Sequence, residues 1–434
     1  MRTDKQMRSA AMGENAALWN RGFVLIILVS CLVSFGNFFV GSAFSYWIID
    51  LGGTSATFGL VHGLYSAVCL ISRPITGWLA DNGNRRVTFL LSCFVYISSM
   101  ILMLISPIFG LFVALRLIQG LGIGSAQTMV TACSYDEIPA SQMDRGVGYI
   151  ALISSLATSA TPALAIRTYN SAGPKALVLW SSVAIVAGIA VSFFVVFRAP
   201  AAPRKQRRLR DALSLRQLFD VRCLKPAIPL AFSVNLTMGV QSYITLYGRR
   251  LGVPNPGWFA TISAVVMVIT RLLLDRFKTA EPFPRRRIYF AYGLFVAKLV
   301  VLGLCRGTAL YCFAAVLSAA GNAILAPLLT GMVIRSVPEE RRGVAASTTG
   351  ICGDVGMIVG STAGGFIADA LGYPALFFLA VIPVLLCMGY CRAVLDGKFV
   401  PWSERYPVPE LPAVEEAGSE NSVADAAASA EGSI

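Results

Sequence analysis

Residues 23–49 contain no charged side chain, and comparable apolar stretches of about twenty residues recur as far as residue 395, with Gly and Ser inside them. Soluble folds present apolar residues as strands of four to eight or as one-sided helices, so lipid is the better solvent for such segments. In lipid each backbone polar group must be satisfied within its own segment or a closed barrel, and segments this long satisfy it as helices. Composition agrees: of 434 residues 56% are apolar and 14% charged, with a mean hydropathy of +0.68. The first apolar run is too long for a secretory signal and lacks a small-residue cleavage site, so it is expected to remain as a first span.

Twelve spans are expected, at 23–49, 57–80, 87–106, 109–135, 147–166, 175–197, 224–247, 258–274, 288–305, 309–334, 344–368 and 375–395. The formal charge of +13 does not imply a nucleic-acid partner, because the basic residues fall between spans instead of gathering on one face. With the N-terminus inside, 27 Lys and Arg lie on the cytoplasmic side and five, Arg167, Lys175, Arg249, Arg250 and Arg306, lie outside. That bias places both termini in the cytoplasm. Ten Cys and a single His are scattered without metal-ligand spacing, so no metal, cofactor or structural disulfide is expected.

The longest polar connection holds Ala-Pro-Ala-Ala-Pro and the basic run 204–210, and it divides the spans six and six. The fold class predicted is an all-α membrane protein, twelve transmembrane helices in two pseudo-symmetric six-helix bundles. The N-terminal bundle occupies 1–197, a cytoplasmic linker 198–223, the C-terminal bundle 224–395, and a disordered cytoplasmic tail 396–434. The halves echo one another at an offset of 199 residues: Gly53 with Gly252, Gly122 with Gly321, Pro139 with Pro338, and Gly173 with Gly372. Such parallel repeats can place a site between two halves near the midplane.

Two motifs carry a family resemblance. Between spans two and three stands Gly77-Trp78-Leu79-Ala80-Asp81-Asn82-Gly83-Asn84-Arg85-Arg86, and span four contains Arg116-Leu117-Ile118-Gln119-Gly120. These resemble the G-x-L-x-D-x-x-G-R-R and R-x-x-Q-G signatures of the major facilitator superfamily, and the resemblance covers about 23–395. Asn84 stands where the family has Gly and is expected to adopt the left-handed turn in its place. In span five Thr161-Pro162-Ala163-Leu164-Ala165 keeps the Pro of the antiporter motif without its glycines, whereas the stretch 243–276, with Tyr247-Gly248-Arg249 and Arg271 to Asp275, resembles the superfamily's drug and metallophore exporters.

The resemblance implies a secondary active transporter of the plasma (inner) membrane, working by alternating access. Proton-coupled export of a small amphipathic organic compound leads; uptake of a small organic solute, or a non-transporting membrane sensor or scaffold of the same fold, are the alternatives. An intramembrane enzyme would need a nucleophile with its base, paired aspartates or a metal set within the spans, and no such set is present. The expected partners are a small-molecule substrate, protons and the lipid bilayer, with the protein a monomer.

Gly77, Asp81, Arg85 and Arg86 are the candidate gating residues. Asp81 is expected to sit against the amide-bearing N-terminus of span eleven, near 343–347. In this family spans one, four, seven and ten face the cavity, which makes Asn37, Arg116, Gln119, Gln127, Asn235, Gln241 and Asn322 the substrate-binding candidates, with Ser45, Thr131 and Thr245 beside them. A cation at hydrocarbon depth faces the bundle interior, so Arg116 is either a substrate or proton-path residue or a hydrogen-bonded brace. Asp354 lies about eleven residues into span eleven, roughly 16 Å deep at 1.5 Å per residue. It is either a proton carrier or one member of a buried ion pair with a cation such as Arg116 or Lys298. His62 could join a proton path or pack as an ordinary core residue, and Lys298 either snorkels or pairs inward.

Overall fold

The computed structural model describes residues 19–106, 108–138, 142–197, 221–276, 285–337 and 342–396. Every regular element among them is helical: α1 (Arg21–Asp50), α2 (Ser55–Asn82), α3 (Arg85–Ile105), α4 (Phe109–Asp136), α5 (Met143–Ser192), α6 (Val221–Pro229), a π-helical turn (Leu230–Asn235), α7 (Leu236–Gln241), α8 (Ile244–Arg250), α9 (Trp258–Arg276), α10 (Arg285–Gly303), α11 (Thr308–Ile334), α12 (Arg342–Leu379) and α13 (Val381–Asp396). Eight of the described helices are long and apolar enough to cross a membrane, and Trp258–Leu274 is a shorter apolar helix. Most of the linker, the tail, Pro139 and Pro338 lie outside the described residues.

Two of the long helices are each a pair. Within α5, Gly173 has φ 70°, and within α12, Gly372 has φ 86°; both lie in the left-handed region that glycine enters without steric cost, and each is followed closely by a Pro suited to starting a helix. Neighbours on α1 and just before it show the reversal at Gly173. Tyr149 lies against Trp19 and Tyr169 bonds Asp50, whereas beyond the glycine Ser181 bonds Gly36 and Gly188 lies near Val33. The chain climbs α1 and then descends it. The offset of 199 therefore marks one matching turn, Gly173 and Gly372. For the first pair it is off by one, because the left-handed glycines are Gly52 and Gly252 and not Gly53. Gly122 and Gly321 match in packing: a Cβ at Gly122 would meet the backbone of Tyr96 on α3 at 2.8 Å, and one at Gly321 would meet Phe295 on α10 at 2.9 Å.

The expected span 224–247 is not one continuous helix. Pro226 and Pro229 remove backbone donors inside α6, a π-helical turn follows, and the chain breaks again at Ser242 and Tyr243, whose amides reach only three residues back, to Gly239 and Val240. The lost bonds are replaced from side chains, with Ser233 donating to the Pro229 carbonyl and the Asn235 amide to that of Leu230 at 3.2 Å. A broken helix is tolerated at membrane depth where protein surrounds it in this way.

The surrounding protein is α12. A Cβ at Gly239 would stand 2.6 Å from the Met357 carbonyl and 2.7 Å from the Ser361 amide, so the two backbones touch, as small residues allow between membrane helices. Gly239→Val should lower the thermal midpoint of the detergent-purified protein, by an overpacking cost of about 1–3 kcal/mol. Gly293→Ala, where a Cβ meets nothing within 4 Å, should leave the midpoint unchanged or slightly raised.

Candidate functional site

Helices from the two halves of the sequence meet at the end of the molecule that carries Asp50. There Tyr46 donates to the Thr245 carbonyl at 3.0 Å, the Ser45 and Thr245 hydroxyls are 3.3 Å apart, and Arg249 Nη1 lies 3.0 Å from Asp50 Oδ1. Tyr46 with Thr245 and Asp50 with Arg249 are each separated by 199 residues. The Ser45–Thr245 contact instead has the offset of the left-handed glycines Gly52 and Gly252, so α1 and α8 meet through equivalent or next-to-equivalent positions of the two halves. Tyr169 braces the pair by donating to Asp50 Oδ2 at 3.0 Å, and Asn255 Nδ2 ties the loop before α9 to the Ala163 carbonyl at 3.1 Å.

A second joint lies between α2 and α12. The Asp369 carboxylate accepts the amides of Ser55 at 2.9 Å and Ala56 at 2.8 Å, while the Ser55 hydroxyl meets Tyr373 Oη at 2.9 Å. These amides are among the unpaired donors that begin every helix, and a carboxylate there also favours the positive end of the helix dipole. Asp369, Asp50 and Tyr243, whose hydroxyl donates to the Ser361 carbonyl at 2.5 Å, are absent from the sequence-derived candidates. The one signal that could have found Asp50 is its opposite charge to Arg249 at the repeat offset.

Further along the same seam Asp354 pairs with Arg73 of α2, with Nη1 2.5 Å from Oδ2. The carboxylate is the more enclosed partner, its side chain 16% exposed against 45% for Arg73. The partner is therefore neither Arg116 nor Lys298. Both those cations are buried elsewhere, whereas α2 runs alongside α12 and carries Arg73 to the level of Asp354.

Arg116 is 2% exposed. Its guanidinium lies 3.9 Å from the centroid of the Phe44 ring and 4.1 Å from that of Tyr65, and Nη1 donates to Gln119 Oε1. Two aromatic faces contribute on the order of 2 kcal/mol each when desolvated, which offsets part of the cost of burying the charge. Arg116 Nε and Gln119 Nε2 are buried with no hydrogen-bond acceptor. Tyr65 also donates to Asn37 Oδ1 at 3.0 Å, and His62 stacks between Phe58 and Tyr65.

In the second half Lys298, 3% exposed, turns inward instead of snorkelling. Its Nζ is 3.4 Å from Gln241 Oε1 and 3.2 Å from Ser318 Oγ, and 4.5 Å from the Phe295 ring centroid. Asn235 spends its amide on the π-helical turn, and Asn322 is half-buried on α11. Gln127 and Thr131 face a separate cleft of about 150 Å³ with Ser30, Val33, Ser34, Val130 and Ile150. The structure thus brings Arg116, Gln119, Asn37 and His62 together around Tyr65, and gathers Gln241 and Lys298 on the other half.

At the opposite end of α2 the signature loop holds to its own half. Arg85 donates to the Ala80 carbonyl at 2.8 Å and pairs with Asp136, while Arg86 donates to the Phe193 carbonyl at 2.9 Å and lies over the Phe193 ring. Asn84 is not left-handed: at φ −82° and ψ 105° it is extended, and its side chain caps α3 by accepting the Val87 amide. An asparagine at that site serves as an N-cap, which removes the need for glycine. A Cβ at Gly77 would meet nothing within 4 Å. The side chains of Asp81 and of most residues in 343–347 are not among those described, and neither is the contact expected between them.

Comparison with known proteins fits this geometry. The profile of the Major Facilitator Superfamily matches residues 26–308 and 256–420. The staphylopine export protein of Staphylococcus aureus (strain Mu50 / ATCC 700699) is 23% identical over 350 residues, 78% of this chain and 87% of that protein. An MFS-type transporter of Burkholderia mallei (strain SAVP1) is 24% identical over 344 residues, 77% of this chain and 82% of that protein. Among solved structures, a POT family transporter in complex with 5-aminolevulinic acid aligns with a TM-score of 0.71 at 14% identity, over 87% of this chain and 96% of that one. A bacterial homologue of the human lysosomal transporter Spinster aligns at 0.67 and 13%, over 87% and 98%. With eight membrane-capable helices and a family profile that runs over most of its length, the chain belongs to the Major Facilitator Superfamily and is a multi-pass membrane transporter.

Proposed function

We propose that the protein is a secondary active transporter that exports a small amphipathic organic compound by alternating access, coupled to protons. The reversals at Gly173 and Gly372 turn two long helices into four spans. Adding α9 and α10 to the eight membrane-capable helices brings the number of spans to twelve, six in 1–197 and six in 224–395. The basic loops lie at the Arg85 end, so that end is cytoplasmic, as are both termini, and the Asp50 end faces outward. The printed name of the staphylococcal relative supports the outward direction of transport.

The observation that carries the reading is the placement of contacts between the halves. The described polar joints run from the outer ends of α1, α2, α8 and α12 inward along the seam to Arg73 and Asp354. They support a carrier sealed toward the outside. Asp354 stands where a proton can act on the seam: ionised, it holds Arg73 across it, and protonated, it loses that attraction. Proton binding then loosens the joint between the halves, and release restores it. Asp81 remains the candidate for the opposing cytoplasmic joint, with Gly77, Arg85 and Arg86 shaping its loop; Arg85 and Arg86 act by fixing that loop to α4 and to the end of α5. Arg116, whose polar partner among the described residues is Gln119, is the second candidate on the proton path. The plasma (inner) membrane and a monomeric carrier complete the proposal.

In proteoliposomes with an imposed pH gradient, flux of a transported compound should follow the gradient for the wild type and lose that dependence in Asp354→Asn. Full gradient-driven flux in the variant would remove Asp354 as the carrier. Binding without flux for every compound tried would instead favour a sensor of the same fold.

The outer seal can be read separately. Asp369→Ala removes two hydrogen bonds to a charged acceptor at an exposed site, a loss of about 1 kcal/mol, or about fivefold in the closed population. With the native cysteines replaced, Ser45→Cys, buried at 1% in the seal, should react with an external impermeant maleimide several-fold faster when Asp369→Ala is added. An unchanged rate would show that the cap does not hold the seal.

A further inference from the structure

Two basic side chains are buried in the interior, Arg116 in the first half and Lys298 in the second. Neither has a carboxylate partner among the described residues; the ion pairs there belong to Arg73, Arg85 and Arg249. Each cation is instead held by the side-chain carbonyl of a glutamine. Arg116 donates to Gln119 Oε1, and Lys298 lies at hydrogen-bond distance from Gln241 Oε1, which Ser318 also approaches at 3.3 Å.

A cation has no acceptor to offer, so it forces the oxygen of the amide toward itself and turns the nitrogen away. Both glutamines are thereby converted into donors. At Gln119, 0% exposed, that donor and the neighbouring Arg116 Nε have no acceptor at all. A buried donor left unpaired costs about 1–3 kcal/mol, and more when it is charged. The arrangement persists in the folded chain with its acceptors missing.

Each cluster borders residues of the outer joints. Phe44 of α1 covers Arg116, and the next two residues, Ser45 and Tyr46, touch Thr245 on the other half. Gln241 closes α7 four residues before Thr245 of α8. Both clusters therefore border the outer seal, one in each half.

We propose that these cation-pinned glutamines roof the substrate cavity and receive an anionic group of the transported compound, a carboxylate above all, as a donor-only site spanning the two halves. The inference rests on the transporter reading and narrows its substrate class from an amphipathic compound to an amphipathic anion. Charge-assisted hydrogen bonds from several donors favour such a ligand over its neutral amide analogue, which brings donors of its own to a site that offers no acceptor.

The test uses the full-length protein in nanodiscs and three fluorescent probes: N-dansyl-aspartate, its neutral diamide, and the cation dansylcadaverine. N-dansyl-aspartate should bind at least about tenfold more tightly than either of the others, as expected when a charge-assisted contact is gained. Gln241→Glu should abolish that preference while keeping or raising the thermal midpoint, because it gives Lys298 a carboxylate of its own; Lys298→Arg should retain both. Equal or tighter binding of the diamide or dansylcadaverine, no binding of N-dansyl-aspartate, or an unchanged preference in Gln241→Glu would each overturn the inference. Flux of the same probes separates this from the transporter reading. Flux of the diamide or dansylcadaverine without anion preference preserves transport and removes the anion site, whereas anion-selective binding with no flux of any probe keeps the site and removes transport.

Discussion

The seam between α2 and α12 governs how the two halves of the sequence relate. Gly59, Gly63 and Gly365 leave no side chain of their own between the helices, and a Cβ at Gly365 would stand 2.9 Å from the Ala56 Cα. Lipid tails are as apolar as leucine, so two membrane helices gain little by burying apolar faces against each other and hold instead by close van der Waals contact and hydrogen bonds. Such a contact resists separation yet opposes rotation or sliding only weakly, because no large side chain interlocks. Its position is then set by the polar joints along it, the Asp369 cap at one end and the Arg73–Asp354 pair further in.

Those two joints differ in what breaks them. The Asp369 cap joins a carboxylate to backbone amides that every helix start presents, so it is a mechanical closure remade whenever the helices return to register. The Arg73–Asp354 pair depends on the ionisation of a carboxylate enclosed at membrane depth, and a proton removes the attraction without moving an atom. On the proposed transport cycle, a seam held by one joint of each kind has a chemical means of choosing between two settings, as alternating access requires.

Much of this was legible in the sequence, and for physical reasons. Hydrocarbon demands long apolar helices, so the spans and their ends stand out, and the glycine needed for a left-handed turn marks Gly173 and Gly372. Asp354 was identifiable as a deep carboxylate by counting residues from the helix start. Its partner was not, because Arg73 lies 281 positions away and only helix packing brings it near. Asn84 was misjudged since a polar residue after a helix can serve the turn before it or cap the helix after it, and the choice depends on backbone angles. The break in span seven was hidden for a related reason: Pro226 and Pro229 predict a distortion, but its form depends on Ser233, Asn235 and the glycines of α12 that enclose it. Lys298 had two destinations in lipid, the interface or the interior, and Ser318 and Gln241 decide it only once α10 and α11 are packed.

The inward turn of Lys298 alters the electrostatic argument. Arg116 alone, wrapped by Phe44 and Tyr65, is adequately explained as a braced cation within one half. A second buried basic side chain in the other half, also held by a glutamine carbonyl, leaves the interior with two such groups that no described carboxylate pairs with. The Arg73–Asp354 pair contributes no net charge, and it lies on the seam instead of bordering the seal. The group suited to receive a proton and the groups suited to receive an anion are thus in different places. On the proposed reading, proton and substrate then need not compete for one residue: the proton would release the seam, and the substrate would draw together donors that belong to opposite halves.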